Sequence, residues 1–307
     1  MKLSLIVPAY NAQDCLGNCL DDLVNQSIDD YEIIVVNDGS TDDTEKIISE
    51  YKGMYPDVVR SITISNGGQG RARNFAIRVA KGDYIGFADA DDRLDHDMFK
   101  KMYDKAVSED ADIVVCDFFR SDAEGNHYER AQLQDHPLSS AGPVWNKIFR
   151  ASVIGGIRFA EGLWYEDFTF SCKMLIKSKK TVFINEALYY YSVGHTSTMT
   201  NQNALKNLDI LTVMDGIKAY ANKEKPDTDI DFLIINHILL ESIKRVSLQD
   251  SPDKKIVLKK LRSYVHENIP DLDKSCAFKN ESRNRKIIMK LNYYGFEGLS
   301  KAILKIK

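Results

Sequence analysis

The sequence predicts an α/β fold, with a mostly parallel β-sheet, flanking helices and an all-helical C-terminal region. Three observations lead to this expectation. Short β-rich runs alternate with helical patterns over the first half of the chain, which is typical of parallel strands joined by helices. Strands such as the one at 31–37 are apolar almost throughout, as expected when both faces are buried. Beyond about residue 201 the apolar spacing becomes helical.

Local patterns define the elements of the first half. The predicted strands lie at 2–7, 31–37, 58–64, 83–88 and 112–116, and the predicted helices at 12–26, 41–55, 69–80 and 96–109. In the first helix, Leu16, Leu20 and Leu23 fall on one face. Ser40 or Thr41 is placed to cap the second helix.

The second half begins with a polar, turn-rich stretch at 117–143, which predicts a hairpin or a mobile loop. An ordered segment is then expected at 144–151. A helix is predicted at 167–177, and strands are predicted at 181–184 and 188–191. Residues 229–248 are apolar almost all round and predict a packed central helix.

Composition excludes several classes of protein. With 307 residues, 44% of them hydrophobic and 28% charged, the chain can bury a full core and is not disordered. No apolar run reaches the roughly 18 residues of a membrane span, and Pro8 interrupts the N-terminal run too early for a signal peptide. Five scattered cysteines do not form a disulfide framework. We therefore expect a cytoplasmic protein.

Charge is distributed unevenly along the chain. Residues 253–307 carry 14 basic and six acidic side chains, a local charge of +8 within a chain whose net charge is −4. An acidic body argues against nucleic-acid binding. A basic C-terminus with Phe296, Leu299, Ile303 and Ile306 on one stripe suits peripheral contact with the inner face of a membrane. The alternative is that these helices pack on the rest of the chain or on a second copy, as in a homodimer.

Polar residues follow four of the predicted strands, in the runs 8–11, 37–42, 66–74 and 89–92. Ligands of open α/β sheets bind at the carboxyl ends of the strands, so these runs predict one site. Asp89, Asp91 and Asp92 would repel one another without a cation, and their hard oxygens favour Mg²⁺ or Mn²⁺. The alternative is an acidic helix N-terminus.

The glycine-rich run at 66–74 contains Gly68, Gly70, Arg71 and Arg73. It is not a dinucleotide fingerprint, which would follow the first strand and place a small residue where Arg73 stands. Glycines that open a helix carrying two arginines suit a diphosphate. An ordinary tight turn with solvated arginines is the alternative.

Four blocks in order carry a family resemblance. They are Val-Pro-Ala-Tyr-Asn at 7–11, Val-Asn-Asp-Gly-Ser-Thr-Asp at 36–42, Gly-x-Gly-x-Ala-Arg-Asn at 68–74 and Asp-Ala-Asp-Asp at 89–92. Together they resemble the family 2 glycosyltransferases, inverting enzymes of the GT-A fold that use nucleotide-sugar donors. The resemblance implies a catalytic domain over 1–200, with the nucleotide-sugar side at about 1–92 and the acceptor side at about 93–200, followed by a helical region over 201–307.

The resemblance also implies roles for individual residues. Asp38 would contact the uracil or ribose of the donor, and Arg71 or Arg73 would face its phosphate or sugar. Asp89 and Asp91 would hold the ribose and a metal-bridged diphosphate. The remaining implied donor-binding residues are Pro8, Ala9, Tyr10, Asn11, Gly68, Gly70 and Ala90.

Three further predictions concern catalysis, the acceptor and the metal. Glu166 and Asp167 open a helix, and Asp167 resembles the catalytic base, although both residues could simply cap the helix. The acceptor or sugar would meet Trp145, Lys147 and Trp164, although Trp145 could equally be core. His195 would touch the metal or the diphosphate, but a lone histidine is more often structural.

Taken together, these residues predict an inverting glycosyltransferase dependent on Mn²⁺ or Mg²⁺. It would move a sugar from a UDP-sugar to a hydroxyl of a glycan, lipid-linked or glycoprotein acceptor, in bacterial cell-surface polysaccharide or glycan synthesis. The alternatives are a sugar-nucleotide pyrophosphorylase and an inactive partner protein that binds UDP-sugar.

Overall fold

The computed structural model describes residues 1–121, 127–131, 136, 138–193 and 203–300. The chain forms two compact units, Met1–His195 and Thr196–Lys307. The first unit is an α/β unit built on one sheet, and the second is helical. The predicted fold class is therefore confirmed.

Within the described residues, nine strands form a single mixed sheet. They are β1 (Leu3–Ala9), β2 (Tyr31–Asn37), β3 (Val59–Thr63), β4 (Tyr84–Phe87), β5 (Arg93–Leu94), β6 (Ile113–Ser121), β7 (His127–Ala131), β8 (Lys147–Arg150) and β9 (Thr181–Ser192). The strand order is β3-β2-β1-β4-β8-β6-β9-β5, with β7 paired to β6. The first four strands of this order are parallel, so their carboxyl ends meet at one edge.

The other half of the sheet departs from the predicted pattern. The strand β8 inserts between β4 and β6 and runs antiparallel to both. The predicted strands at 181–184 and 188–191 are one strand, β9, because its pairing with β6 continues across an irregularity opposite Asn185 and Glu186. The stretch at 117–143 begins as the rest of β6, which forms an antiparallel pair with β7.

Six helices of the first unit are described: α1 (Leu16–Val24), α2 (Thr44–Met54), α3 (Gln69–Val79), α4 (Met98–Glu109), α5 (Ala151–Ile154) and α6 (Glu166–Lys177). Their apolar stripes cover the sheet. In α1, for example, Leu16, Leu20 and Leu23 are buried as predicted, together with Cys19. The hydrophobic core contains buried side chains of β1, β2, β4 and β6, which pack against the helices.

The second unit contains α7 (Asp209–Glu224), α8 (Ile230–Leu233), α9 (Ile243–Leu248), α10 (Lys254–Asn268), α11 (Cys276–Lys279) and α12 (Arg283–Tyr293). A π-helix, Ile234–Ser242, joins α8 to α9, so the predicted central helix is continuous but contains a wider turn. Its apolar residues are mostly buried. None of the helices that the structure describes is long and apolar enough to cross a membrane.

Candidate active site at the carboxyl edge of the sheet

The loop after β1 lies at the edge where the parallel strands end. Pro8 and Ala9 are buried, whereas the ring of Tyr10 is 52% exposed. Asn11 has a φ of 47°, and its Oδ1 accepts a hydrogen bond from the Thr41 N–H at 2.8 Å. The side-chain amide therefore ties the first strand end to the second and leaves the Tyr10 ring facing outward.

Asp38 follows β2 and organises the glycine-rich run. Its carboxylate is buried and accepts hydrogen bonds from the Gly67 N–H at 2.9 Å and the Gly68 N–H at 2.7 Å. Gly68 has a φ of 85°, which favours glycine. In this conformation the N–H of Gly68, one of the two glycines expected to suit a diphosphate, donates to Asp38.

Gly70 lies where α3 approaches the segment that leads into α6. A Cβ at this position would lie 2.6 Å from the Ala160 carbonyl oxygen, so only glycine fits without a shift. One turn later, the Asn74 amide donates to the Phe159 carbonyl at 3.0 Å and accepts from the Phe159 N–H at 2.9 Å. The glycine and the asparagine of this run therefore dock α3 against the 159–166 segment.

Arg73 lies at the centre of the site and is completely buried. One terminal nitrogen of its guanidinium lies 2.6 Å from Asp89. The other lies 2.5 Å from Asp167 and 3.4 Å from Glu166. The Gln69 side-chain amide also donates to Glu166. The guanidinium thus joins the carboxylate after β4 to the pair that opens α6, and it faces these carboxylates rather than solvent.

Burial and the neighbouring charges shift the pKa values of Asp167, Glu166 and Arg73. Burial raises the pKa of Asp167 to about 8, against the opposing effect of Arg73. It also raises the pKa of Glu166. Burial tends to lower the pKa of Arg73, but its three carboxylates outweigh that effect and raise it. Arg73 therefore stays charged, while Asp167 can hold or release a proton near neutral pH.

The three aspartates after β4 have different surroundings. The Asp89 side chain is 24% exposed, and Asp91 is exposed. Asp92 is buried and accepts a hydrogen bond from the Tyr189 hydroxyl at 2.6 Å and from the Ser192 N–H at 2.8 Å. Burial, followed by the charges of Asp89 and Asp91, raises the pKa of Asp92. Asp92 therefore fastens β9 to the end of β4, with Ala90 buried beside it.

The predicted Mg²⁺ or Mn²⁺ site can be compared with the described residues. Among them, no group of three histidine, cysteine, aspartate or glutamate side chains is arranged to hold an ion. His195 lies outside the described residues. Asp89 and Asp91 alone still fit a Mg²⁺ or Mn²⁺ ion whose other ligands are water and substrate phosphate, because such ions commonly use one or two carboxylates.

The three residues predicted for the acceptor side differ in burial and in the groups that they contact. Trp145 is 5% exposed and stacks on Tyr189 with 4.3 Å between the ring centroids, the core arrangement that the sequence left open. Lys147 is fully buried and donates to the Pro143 carbonyl at 2.6 Å. Its burial lowers its pKa to about 7. Trp164 is half-buried.

Other predicted and unpredicted residues complete the site. Arg71 donates to the Ser65 carbonyl at 3.1 Å, at the outer side of the glycine-rich run. Tyr165, which precedes α6, has a φ of 68°, a strained value for a tyrosine. Gln69 and Tyr189 also belong to the site, although no sequence pattern predicted them. Gln69 lies one turn before Arg73, and this spacing is the one signal that could have indicated it.

Comparisons with known proteins agree with this architecture. The model of glycosyl transferase family 2 matches residues 4–178, and the chain belongs to this family. Glycosyltransferase GlyA of Streptococcus pneumoniae is 31% identical over 216 residues, which are 62% of this chain and 30% of that protein. Poly(ribitol-phosphate) beta-glucosyltransferase of Bacillus spizizenii is 33% identical over 207 residues, 63% of this chain and 32% of that protein.

A shorter relative and a solved structure extend the comparison. The uncharacterized glycosyltransferase YibD of Escherichia coli is 31% identical over 231 residues, 68% of this chain and 66% of that protein. The chain thus spans about two thirds of YibD and less than a third of GlyA. TarS 1–349 of S. aureus superposes with a TM-score of 0.71 at 20% identity, covering 99% of this chain and 90% of that chain. The family resemblance in the sequence is confirmed.

Proposed function

We propose that the protein is an inverting glycosyltransferase that moves a sugar from a UDP-sugar to an acceptor hydroxyl. The observation that carries this proposal is the ion-pair cluster of Arg73, which joins Asp89 to Glu166 and Asp167 at the carboxyl edge of the sheet. Family membership supports it. TarS of S. aureus has been solved with UDP-GlcNAc, which supports a UDP-sugar as the donor.

Asp167 is the proposed base. Its carboxylate takes the proton of the acceptor hydroxyl while that oxygen attacks the anomeric carbon from the face opposite the diphosphate. The C–O bond to the sugar forms as the bond to UDP breaks, which inverts the anomeric centre. A pKa of about 8 suits this task, because the group can exchange a proton near neutral pH.

Arg73 and Glu166 are positioning residues in this proposal. The guanidinium holds one oxygen of Asp167 and one of Asp89, so the base stays at a fixed place relative to the donor side. Glu166 receives the Gln69 amide and adds a second contact between α3 and α6. A positioned base matters because misplacement by about 1 Å can cost 10²-fold in rate.

The donor would lie along the ends of β1, β2 and β4. Tyr10 offers an exposed ring for the nucleoside, and the loop held by Asp38 forms the neighbouring wall. Asp89 and Asp91 would hold Mn²⁺ or Mg²⁺ beside the diphosphate. When bound, such an ion neutralises the charge that develops on departing UDP.

The acceptor is proposed to be a glycan, lipid-linked or glycoprotein hydroxyl of the bacterial cell surface. The support is the similarity of this chain to the poly(ribitol-phosphate) beta-glucosyltransferase of Bacillus spizizenii. We also propose a cytoplasmic location with peripheral contact between the C-terminal helices and the membrane. Phe296 and Leu299 are 56% and 59% exposed, as this contact requires. Ile303 and Ile306 lie outside the described residues.

A donor-turnover assay tests the catalytic proposal. The purified chain is incubated with UDP-glucose, UDP-galactose and their N-acetylated forms, with and without Mn²⁺, and the released UDP is measured. Release of UDP with inverted sugar product is expected from at least one donor. A parallel incubation with UTP and a sugar 1-phosphate measures released pyrophosphate. Release of pyrophosphate there would favour the pyrophosphorylase, and binding of UDP without turnover of any donor would favour the inactive partner protein.

A matched pair of variants tests the base. Asp167→Asn should retain UDP binding and lose about 10²–10⁴-fold in turnover, because the amide cannot accept the proton. Glu50→Gln, which removes an exposed carboxylate from α2, should behave as the unchanged protein. Full activity of Asp167→Asn would exclude Asp167 as the base.

A further inference from the structure

A basic groove opens on the surface of the C-terminal unit, between α11 and α12. Its volume is about 440 Å³. The lining residues are Asp273, Phe278, Lys279, Arg283, Lys286, Ile287 and Lys290. We refer to this set as the basic groove. It takes no part in the catalysis proposed above.

The basic groove carries excess positive charge. Four of its side chains are cationic and one, Asp273, is acidic. The Lys290 ammonium lies 2.8 Å from the Asp273 carboxylate, so this pair is neutral overall. Lys279, Arg283 and Lys286 have no carboxylate partner among residues 203–300, the described part of this unit. The Lys286 ammonium donates to the Lys279 carbonyl at 2.7 Å, but no carboxylate of the described residues neutralises these three positive charges.

The start of α12 adds to this positive potential. Arg283 is the first residue of the helix, and Lys286 lies one turn later. Peptide dipoles make a helix N-terminus favourable for anions and unfavourable for cations. The first turn contains three cations, of which Arg285 pairs with Glu281 just before the helix at 2.8 Å. The charges of Arg283 and Lys286 at this helix end are unfavourable unless an anion lies near them.

The floor of the basic groove is apolar. Phe278 is 4% exposed, and the ammonium groups of Lys286 and Lys290 lie 5.8 and 5.5 Å from its ring centroid. Ile287 is 42% exposed at the side. Such a pocket has room for a small organic body next to an anionic group. A volume of about 440 Å³ is that of a site for one small molecule, which favours a discrete ligand over a lipid surface.

We propose that the basic groove binds the phosphate group of a small organic phosphoester. The Arg283 guanidinium can give paired donors to two phosphate oxygens, and the ammonium groups of Lys279 and Lys286 give charge-assisted hydrogen bonds. The carbon skeleton of the ligand lies against the exposed side chain of Ile287. This inference is independent of the reaction assigned to the first unit.

The test uses the full chain and two soluble probes, phenyl phosphate and glycerol 3-phosphate. Binding is followed by titration calorimetry at low salt and by the NMR signal of the Ile287 methyl groups. The double variant Arg283→Gln/Lys286→Gln should weaken binding at least about tenfold, since two charge-assisted contacts are lost. The control Lys255→Gln/Lys259→Gln removes the same charge from exposed positions of α10 and should stay within about twofold.

The outcomes separate the explanations. Saturable binding with a shift of the Ile287 signal, lost only in the groove variant, supports the proposal. Equal loss in both variants means that net charge alone attracts the probes, and it overturns the proposal. Binding to phosphatidylglycerol vesicles without binding of either soluble probe also overturns it, in favour of a membrane surface. Circular dichroism of each variant confirms that it is folded.

Discussion

Replacement of Arg73 by methionine should destabilise the first unit markedly. The side chain is completely buried, and its three carboxylate partners have exposed fractions of only 24% (Asp89), 11% (Glu166) and 22% (Asp167). Removing one partner of a buried ion pair costs about 3–5 kcal/mol, because the remaining charge loses its compensation. We expect about 3 kcal/mol, the lower limit, since the carboxylates keep some contact with solvent and Asp167 can take up a proton.

Thermal and urea unfolding measure this loss. For a unit of this size, about 3 kcal/mol corresponds to a Tm lower by about 6–12 °C. The matched control is Arg93→Met, which removes a bidentate pair with Asp22 from a half-exposed position. That change should cost about 0.2–1 kcal/mol.

The pH dependence of Arg73→Met provides a second check. Arg73 lowers the pKa of Asp167, so its removal raises the folded-state pKa further. The folded variant then binds protons more tightly than the unfolded chain, and its deficit in stability relative to the unchanged protein should grow as pH rises. A variant as stable as Arg93→Met, or a deficit independent of pH, would refute the reasoning.

Three further predictions follow from the site. If Asp167 is the base, kcat/KM should fall as pH drops below about 8, because a protonated carboxyl group cannot take the proton of the acceptor hydroxyl. A flat profile of kcat/KM from pH 6 to 9 would contradict this. Gly70→Ala should lower stability by about 1–3 kcal/mol, because the added Cβ would clash with the Ala160 carbonyl oxygen. Gly53→Ala on α2, where a Cβ meets open space, should not lower stability, and equal melting temperatures of the two variants would be inconsistent with the tight contact. Asp38→Ala should cost about 1–3 kcal/mol by removing the acceptor of two glycine N–H groups, and unchanged urea unfolding would argue against that role.

Much of the first unit could be predicted from local sequence. The predicted strands at 2–7, 31–37, 58–64 and 83–88 correspond to β1 to β4, because long apolar runs bounded by turn residues leave little ambiguity. The predicted site follows the ends of these strands for the same reason. The position of β8 could not be predicted, since four residues contain too little periodicity to indicate strand order or direction.

The site shows where sequence patterns stop being informative. The resemblance predicted a nucleoside contact for Asp38, but a pattern cannot show that its carboxylate accepts two amide N–H groups. The same pattern placed Arg71 and Arg73 toward phosphate or sugar. It could not distinguish an arginine at the outer side of a loop from one buried among carboxylates, because the difference depends on which helix face meets α6.

The burial of Arg73 links the two halves of the site. Its partners lie 16 residues away at Asp89 and 94 residues away at Asp167, so no short window of sequence contains the cluster. A buried arginine is stabilised by the carboxylates around it, and these carboxylates are stabilised by the arginine in return. The end of β4 and the start of α6 are therefore coupled through one side chain. A change that displaces α6 should disturb the donor side of the site as much as it disturbs the proposed base.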